Sequence, residues 1–253
     1  HYLHRRQRQM CIRDRDVNIM PPSKQAFSKA RYKFSHTGFI ELLQDSIEVA
    51  LGSHPNFGLW KNYRFLAVDG SSLRLPKSQE TINLYGKYKC CPSSAKQSPI
   101  LSRVSLVVDI CTSIIMDAAL ENWGVGEITT AKDLLPKVVK NLHDYNQKKL
   151  CFIYDRGYSS KSLMSQHIDL SVDFIFRIPK NFCSNVWKRV NSGEIDFIDV
   201  VDNKNVRVVV IPLLSGEKEV LLTSLSNVDF TIKDLSILYN MRWNIEECYK
   251  RLK

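Results

Sequence analysis

The sequence lacks the spacings that build the common metal sites and the apolar stretch that crosses a membrane. Its 253 residues hold seven cysteines, at 11, 90, 91, 111, 151, 183 and 248, with no CxxC pair among them. An odd, scattered set excludes a disulfide framework and a zinc ribbon, and suits a reducing compartment. The six histidines show no HxxxH spacing, which removes a histidine-built metal site. No run of about 18 apolar residues occurs, so no membrane-spanning helix is expected. The basic head HYLHRRQRQMCIRDR has no apolar core and is no secretory signal. Internal repeats and low-complexity tracts are missing too, which excludes solenoids and fibres.

Acidic residues are also in short supply. Lysine and arginine number 36 against 26 aspartates and glutamates, a net charge of +10 and a pI near 9.2. A polyanionic partner fits that balance better than an acidic substrate. With 44% hydrophobic residues the chain can bury one substantial core.

What is present is concentrated at the C-terminal end, in LYNMRWNIEECYKRLK. On a continuous helix turning about 100° per residue, Arg242, Glu246 and Lys253 lie about −60°, −20° and −40° from Tyr239. One narrow stripe thus carries a carboxylate, two cations and a phenol. Ile237, Leu238, Met241, Ile245, Cys248 and Leu252 form the adjoining apolar arc. An acid that can hold a metal beside cations that can hold phosphates is an arrangement for phosphoryl transfer.

Upstream, residues 23–51 read as one helix. RFLAVD at 64–69 reads as a strand ending in the Asp69-Gly70 turn, and residues 77–99 as a basic loop. SRVSLVVDI and SIIMDAALE pair as a hairpin about 111–113. A helix over 127–145 contains Pro136. LCFIYD at 150–155 is a buried strand again ending in an acid, followed by a short helix at 159–167 and a strand at 173–178. Residues 183–225 alternate β-branched and polar residues, the pattern of a small antiparallel sheet. The terminal helix follows, with Thr231 and Asp234 at capping-box spacing.

If the first and fourth strands are neighbours, Asp69 and Asp155 project at one sheet edge and Glu246 can close over them. Alone, an Asp-Gly pair is a turn, and Arg242–Glu246 is an ordinary i,i+4 pair. Three converging carboxylates would repel, so the combination makes sense with divalent cations between them, Mg²⁺ or Mn²⁺ for all-oxygen ligands. Two ions about 3.5–4 Å apart, bridged by Asp69 with Asp155 and Glu246 each holding one, would serve a phosphodiester.

VDGSSLRLP at 68–76, YDRGYSS at 154–160, and Tyr239, Arg242, Glu246 and Lys253 in the pattern Tyr-x2-Arg-x3-Glu-x6-Lys together resemble the DDE transposases of the insertion-sequence-four family. The likeness spans about residues 23–253. It implies an RNase H-like α/β fold, a mixed sheet flanked by helices with a compact β-rich insertion at about 181–228. Asp69, Asp155 and Glu246 would be the catalytic, metal-binding triad for two Mg²⁺ or Mn²⁺ ions. Tyr239, Arg242 and Lys253 would contact phosphates of the transposon end. Arg156 is a further DNA-binding candidate, and Trp243 is either a stacking residue or a packing one. The implied activity is cleavage and strand transfer during cut-and-paste movement: water attacks first, and the freed 3′-hydroxyl attacks second. Two subunits would pair two double-stranded ends in the cytoplasm of a prokaryotic cell, with no membrane involved.

Expected organisation is a non-native or disordered head at 1–15, a helical segment at 16–60 and the catalytic domain at 61–253, with the chain truncated at both ends. The alternative is a fragment that only binds DNA or inhibits a full-length partner. A resolvase or an RNA–DNA hybrid hydrolase shares the acids but has no need of the Tyr–Arg–Glu–Lys spacing.

Overall fold

The computed structural model describes residues 22–86, 99–213 and 215–252. The head at 1–15, much of the basic loop and Lys253 lie outside the described residues. The chain divides into two compact units, one ending at Leu42 and the other running from Leu43 onward.

The expected single helix over 23–51 is two helices, α1 (Lys24–Arg31) and α2 (His36–Gly52). Ser35 makes the break: its hydroxyl accepts from the Thr37 N–H at 3.3 Å, a capping contact that starts a new helix. No residue of α1 is buried. In the second unit Ile47 and Leu51 of α2 are buried.

Eight strands form one sheet: β1 (Arg64–Leu75), β2 (Ile100–Asp109), β3 (Ile115–Asn122), β4 (Leu150–Tyr154), β5 (Asp173–Arg177), β6 (Asp196–Val201), β7 (Lys204–Pro212) and β8 (Lys218–Thr223). Their order is β3-β2-β1-β4-β5-β8-β7-β6. β1 runs antiparallel to β2 and parallel to β4, and β4 runs parallel to β5. A three-strand meander followed by two parallel strands is the RNase H-like arrangement, and the fold class is therefore that mixed α/β sheet. The β-rich insertion is antiparallel as its alternation requires, yet it is no separate sheet. β8 pairs with β5 and extends the main one.

The helices of this unit after α2 are α3 (Gln79–Tyr85), α4 (Glu127–Asp144), α5 (Lys161–Asp169), α6 (Ser184–Asn191), α7 (Ile232–Met241) and α8 (Asn244–Leu252). Two of them fall where loop or strand was expected. A reciprocal Ser78–Thr81 capping box starts α3 inside the basic loop, and α6 opens the insertion, burying Val186, Trp187 and Val190.

Strand side chains alternate between faces, and the core divides accordingly. Leu66, Val68, Phe152, Tyr154, Phe174 and Phe176 pack on one face with α4, α5 and α6. Phe65, Ala67, Cys151, Ile153 and Ile175 pack on the other, beneath Leu235, Leu238, Ile245 and Cys248 of α7 and α8. Fully burying each such aliphatic side chain contributes about 1.5–3 kcal/mol, which is what holds α7 and α8 down.

Two buried polar groups belong to this framework. Arg64 is wholly buried and bonds Asp109, the Gln147 Oε1 at 3.1 Å through both Nε and Nη2, and the Phe57 carbonyl at 2.9 Å. Asp109 also accepts from the N–H groups of Cys111 and Thr112. His167, equally buried, lies 2.8 Å from the Leu163 carbonyl by Nδ1 and 3.1 Å from the Tyr154 hydroxyl by Nε2. Burial lowers its pKa to about 4, so the ring is neutral, Nδ1–H donates to Leu163 and Nε2 accepts from Tyr154.

Candidate active site

The β1–β4 register sets Val68 opposite Tyr154, so Asp69 and Asp155 follow side by side. Counting in twos from Phe65 and Cys151 puts both acids on the α7–α8 face. The expected turn at Asp69-Gly70 does not occur. β1 continues to Leu75 because the ladder with β2 persists, pairing Asp69 with Leu106 and Gly70 with Ser105. Asp69 therefore sits where the neighbour β4 stops, not where its own strand stops. At that point Asp155 caps a one-turn 3₁₀ helix, Arg156–Tyr158, and accepts from the Arg156 N–H at 2.7 Å.

Gly70 leaves room for Glu127. A Cβ there would lie 3.0 Å from Cγ of Glu127 and 3.2 Å from its Oε1, a tight contact from which the glutamate side chain would have to give way. Glu127, in the first turn of α4, is bound in turn by Arg103, whose guanidinium lies over the Trp123 ring.

The expected continuous terminal helix is interrupted. α7 ends at Met241, and the turn at Arg242–Trp243 uses i→i+3 bonds, Arg242 N–H to the Tyr239 carbonyl and Glu246 N–H to the Trp243 carbonyl. A tertiary contact accounts for the nick: the Asn244 amide donates to the Ile110 carbonyl at 2.7 Å and pins the start of α8 to the end of β2. The tighter turn still leaves Tyr239 and Arg242 over the two aspartates, with Glu246 linked to them through Arg242. Tyr239 donates its hydroxyl to Asp155 Oδ1 at 3.0 Å. The guanidinium of Arg242 bridges Asp69 at 3.9 Å and Glu246 at 3.2 Å, with its Nε buried and unpartnered. Of the apolar arc, Leu238, Ile245 and Cys248 are buried, whereas Ile237 and Leu252 face outward. Trp243 is 59% exposed, which removes its packing role.

Burial pushes the Asp69 carboxyl up to about 6; the Gly70 N–H and Arg242 oppose this, while Glu127 and Asp155 add to it. Crowded carboxylates beside a buried arginine can draw in cations on one side and polarise an anionic ester on the other.

A profile of the transposase DDE domain matches residues 60–253. The chain belongs to the transposase DDE domain family. A comparison with curated proteins finds no match. Among solved structures, this DDE domain is similar to the piggyBac transposase synaptic complex with hairpin DNA, at 11% identity and a TM-score of 0.46, over 74% of this chain and 40% of that one. It is similar to a pre-cleavage Mos1 transpososome (12%, TM-score 0.29, 52% and 41%). It is also similar to the Mos1 transposase paired-end complex with left transposon end (13%, TM-score 0.30, 68% and 49%). The chain spans less than half the length of each of these.

The DDE domain brings together five of the eight singled-out residues: Asp69, Asp155, Glu246, Tyr239 and Arg242. Arg156 is exposed on the turn after Asp155, and Lys253 lies outside the described residues. Four further neighbours were not singled out. Glu127 abuts Gly70. Tyr249 lies 2.7 Å from the Asp69 carbonyl and 3.1 Å from that of Val104, tying α8 to β1 and β2. Arg177 stands 4.0 Å from Asp155 and 3.3 Å from Glu219 of β8. Only Tyr249, three residues past Glu246, left a trace in the sequence.

Among the described residues no three His, Cys, Asp or Glu side chains close on one point as ion ligands. The oxygen-only donor set is nonetheless that of a hard divalent cation, and positive charge is already drawn to it in the form of Arg242. No described helix is long and apolar enough to cross a membrane.

Proposed function

We propose that this chain is the catalytic part of a transposase of the insertion-sequence-four group, cutting DNA at the ends of a mobile element and joining the ends to target DNA. The observation that carries this reading is the placement of Asp69 and Asp155 in register on adjacent parallel strands, under Tyr239 and Arg242, with Glu246 linked through Arg242. Asp69, Asp155 and Glu246 would hold divalent cations, two Mg²⁺ or Mn²⁺. Bound there, the cations supply the positive charge that activates an attacking oxygen and stabilises the leaving one. Arg242 and Tyr239 turn toward phosphate oxygens, the guanidinium as a charged fork and the phenol as a neutral donor. Exposed Trp243 offers a ring to a base or sugar. Two copies would pair two ends of double-stranded DNA.

Glu246→Gln tests the assignment. Strand cleavage in Mg²⁺ should fall about a thousandfold or more, equivalent to about 4 kcal/mol of transition-state stabilisation, with duplex binding retained. Full cleavage by that variant would falsify the triad. Binding without cleavage by the unmodified chain, at every Mg²⁺ and Mn²⁺ concentration, would move the function to a DNA-binding or inhibitory partner.

A further inference from the structure

Beside Asp155, where β5 leaves the sheet and β8 and α6 meet, lies a cavity of about 420 Å³. Its wall carries Arg156, Arg177, Lys180 and Lys218, against the single carboxylate of Glu217. The four cations are not equally engaged. Arg177 is shared with Asp155 and Glu219, and Lys218 donates to the Val190 carbonyl at 2.9 Å. Arg156 and Lys180 are exposed, and among the described residues neither has an ion-pair or hydrogen-bond partner for its side chain. One part of the remaining wall is anchored, because Trp187 is nearly buried and its indole N–H donates to the Pro179 carbonyl at 2.9 Å.

A concave surface with two uncommitted cations and a partly anchored wall is built for an anion. Its shared wall identifies which one. Arg177 lines the cavity and also stands 4.0 Å from Asp155, so the cavity adjoins the site of the two aspartates. We propose that the cavity seats a backbone phosphodiester of the same DNA strand that is cut at Asp69 and Asp155, held by Arg156 and Lys180. The inference rests on the transposase reading of that site. It also gives the β-rich insertion a role, since β8 and α6 grip the strand on the far side of Asp155.

The test is the salt dependence of binding to a fluorescein-labelled duplex, read by anisotropy, for the unmodified chain, Arg156→Ala/Lys180→Ala and the surface control Lys140→Ala. Neutralising one duplex phosphate accounts for about 0.9 in the slope of log K against log salt. The double variant should lose about that much slope and about tenfold in affinity, with an unchanged melting temperature, while Lys140→Ala keeps both. An unchanged slope in the double variant, or an equal loss in Lys140→Ala, overturns the proposal. A melting temperature raised by inorganic phosphate at matched ionic strength only when Arg156 and Lys180 are present, with DNA slopes all equal, would overturn it in favour of a free-anion site. Cleavage is scored separately: a chain that binds with the expected slopes but never cuts sinks the catalytic reading and leaves the cavity standing.

Discussion

Arg64 and Arg242 are both nearly inaccessible arginines facing carboxylates on the same strand system, and they are treated in opposite ways. Around Arg64 the bonding is complete: Asp109, Gln147 and the Phe57 carbonyl take its guanidinium, and Asp109 has two backbone donors of its own. Around Arg242 it is loose, at 3.9 and 3.2 Å, with Nε unpartnered. A saturated buried network has nothing left to offer a ligand and serves the fold. An under-bonded cation among crowded carboxylates still has bonds to offer, as the proposed function requires. Interaction type and burial are alike; what separates structure from function here is the number of bonds left unmade.

The largest effect should follow from breaking the saturated side. Arg64→Met strands Asp109 in the interior and should cost about 3–5 kcal/mol in urea unfolding. Adding Asp109→Leu should recover most of that loss, and failure to recover would show that Arg64 acts by volume instead of charge. Next comes His167, another satisfied interior group. Its folded pKa of about 4 lies below the ordinary 6.5, so the unfolded chain binds the extra proton first. The contribution is present above pH 6.5 and disappears as pH falls toward 4, about 3 kcal/mol in all. His167→Phe should flatten that limb of the stability–pH curve, and a limb of unchanged slope would assign it to another group. The smallest effect on stability belongs to Arg242→Met, about 1 kcal/mol, because the carboxylates it leaves, Asp69 and Glu246, are part-exposed and water can solvate them, while duplex affinity and cleavage fall sharply. A loss as large as that of Arg64→Met would erase the contrast between the two arginines.

Much of this was legible because it is local. Short apolar runs mark β1, β2 and β4, and the fixed gaps of Tyr239, Arg242 and Glu246 mark one face of a helical segment. What escaped is what distant residues decide. The Asp69-Gly70 pair carries a turn signal, but ten ladder pairs with β2 hold the chain straight through it. The nick before Trp243 depends on Asn244 reaching Ile110, 134 residues away. Glu127, Arg177 and Glu219 sit by the aspartates through packing alone, and none belongs to a short motif. The insertion's alternation announces strands and is silent on which strand they join; the β5–β8 ladder settles that.

The β1–β4 register has a consequence in time as well as in space. β2 and β3 are joined by a tight connection and can pair early, because little chain entropy is spent in closing a short loop. Val68 and Tyr154, 86 residues apart, meet only after a long closure. The parallel pairing that sets Asp69 beside Asp155 is therefore expected late in folding, after the meander that supports it. A chain emerging from the ribosome would carry Asp69 on the finished meander and gain Asp155 beside it only once β4 docks, so that the pairing of the two aspartates waits on the parallel half of the sheet.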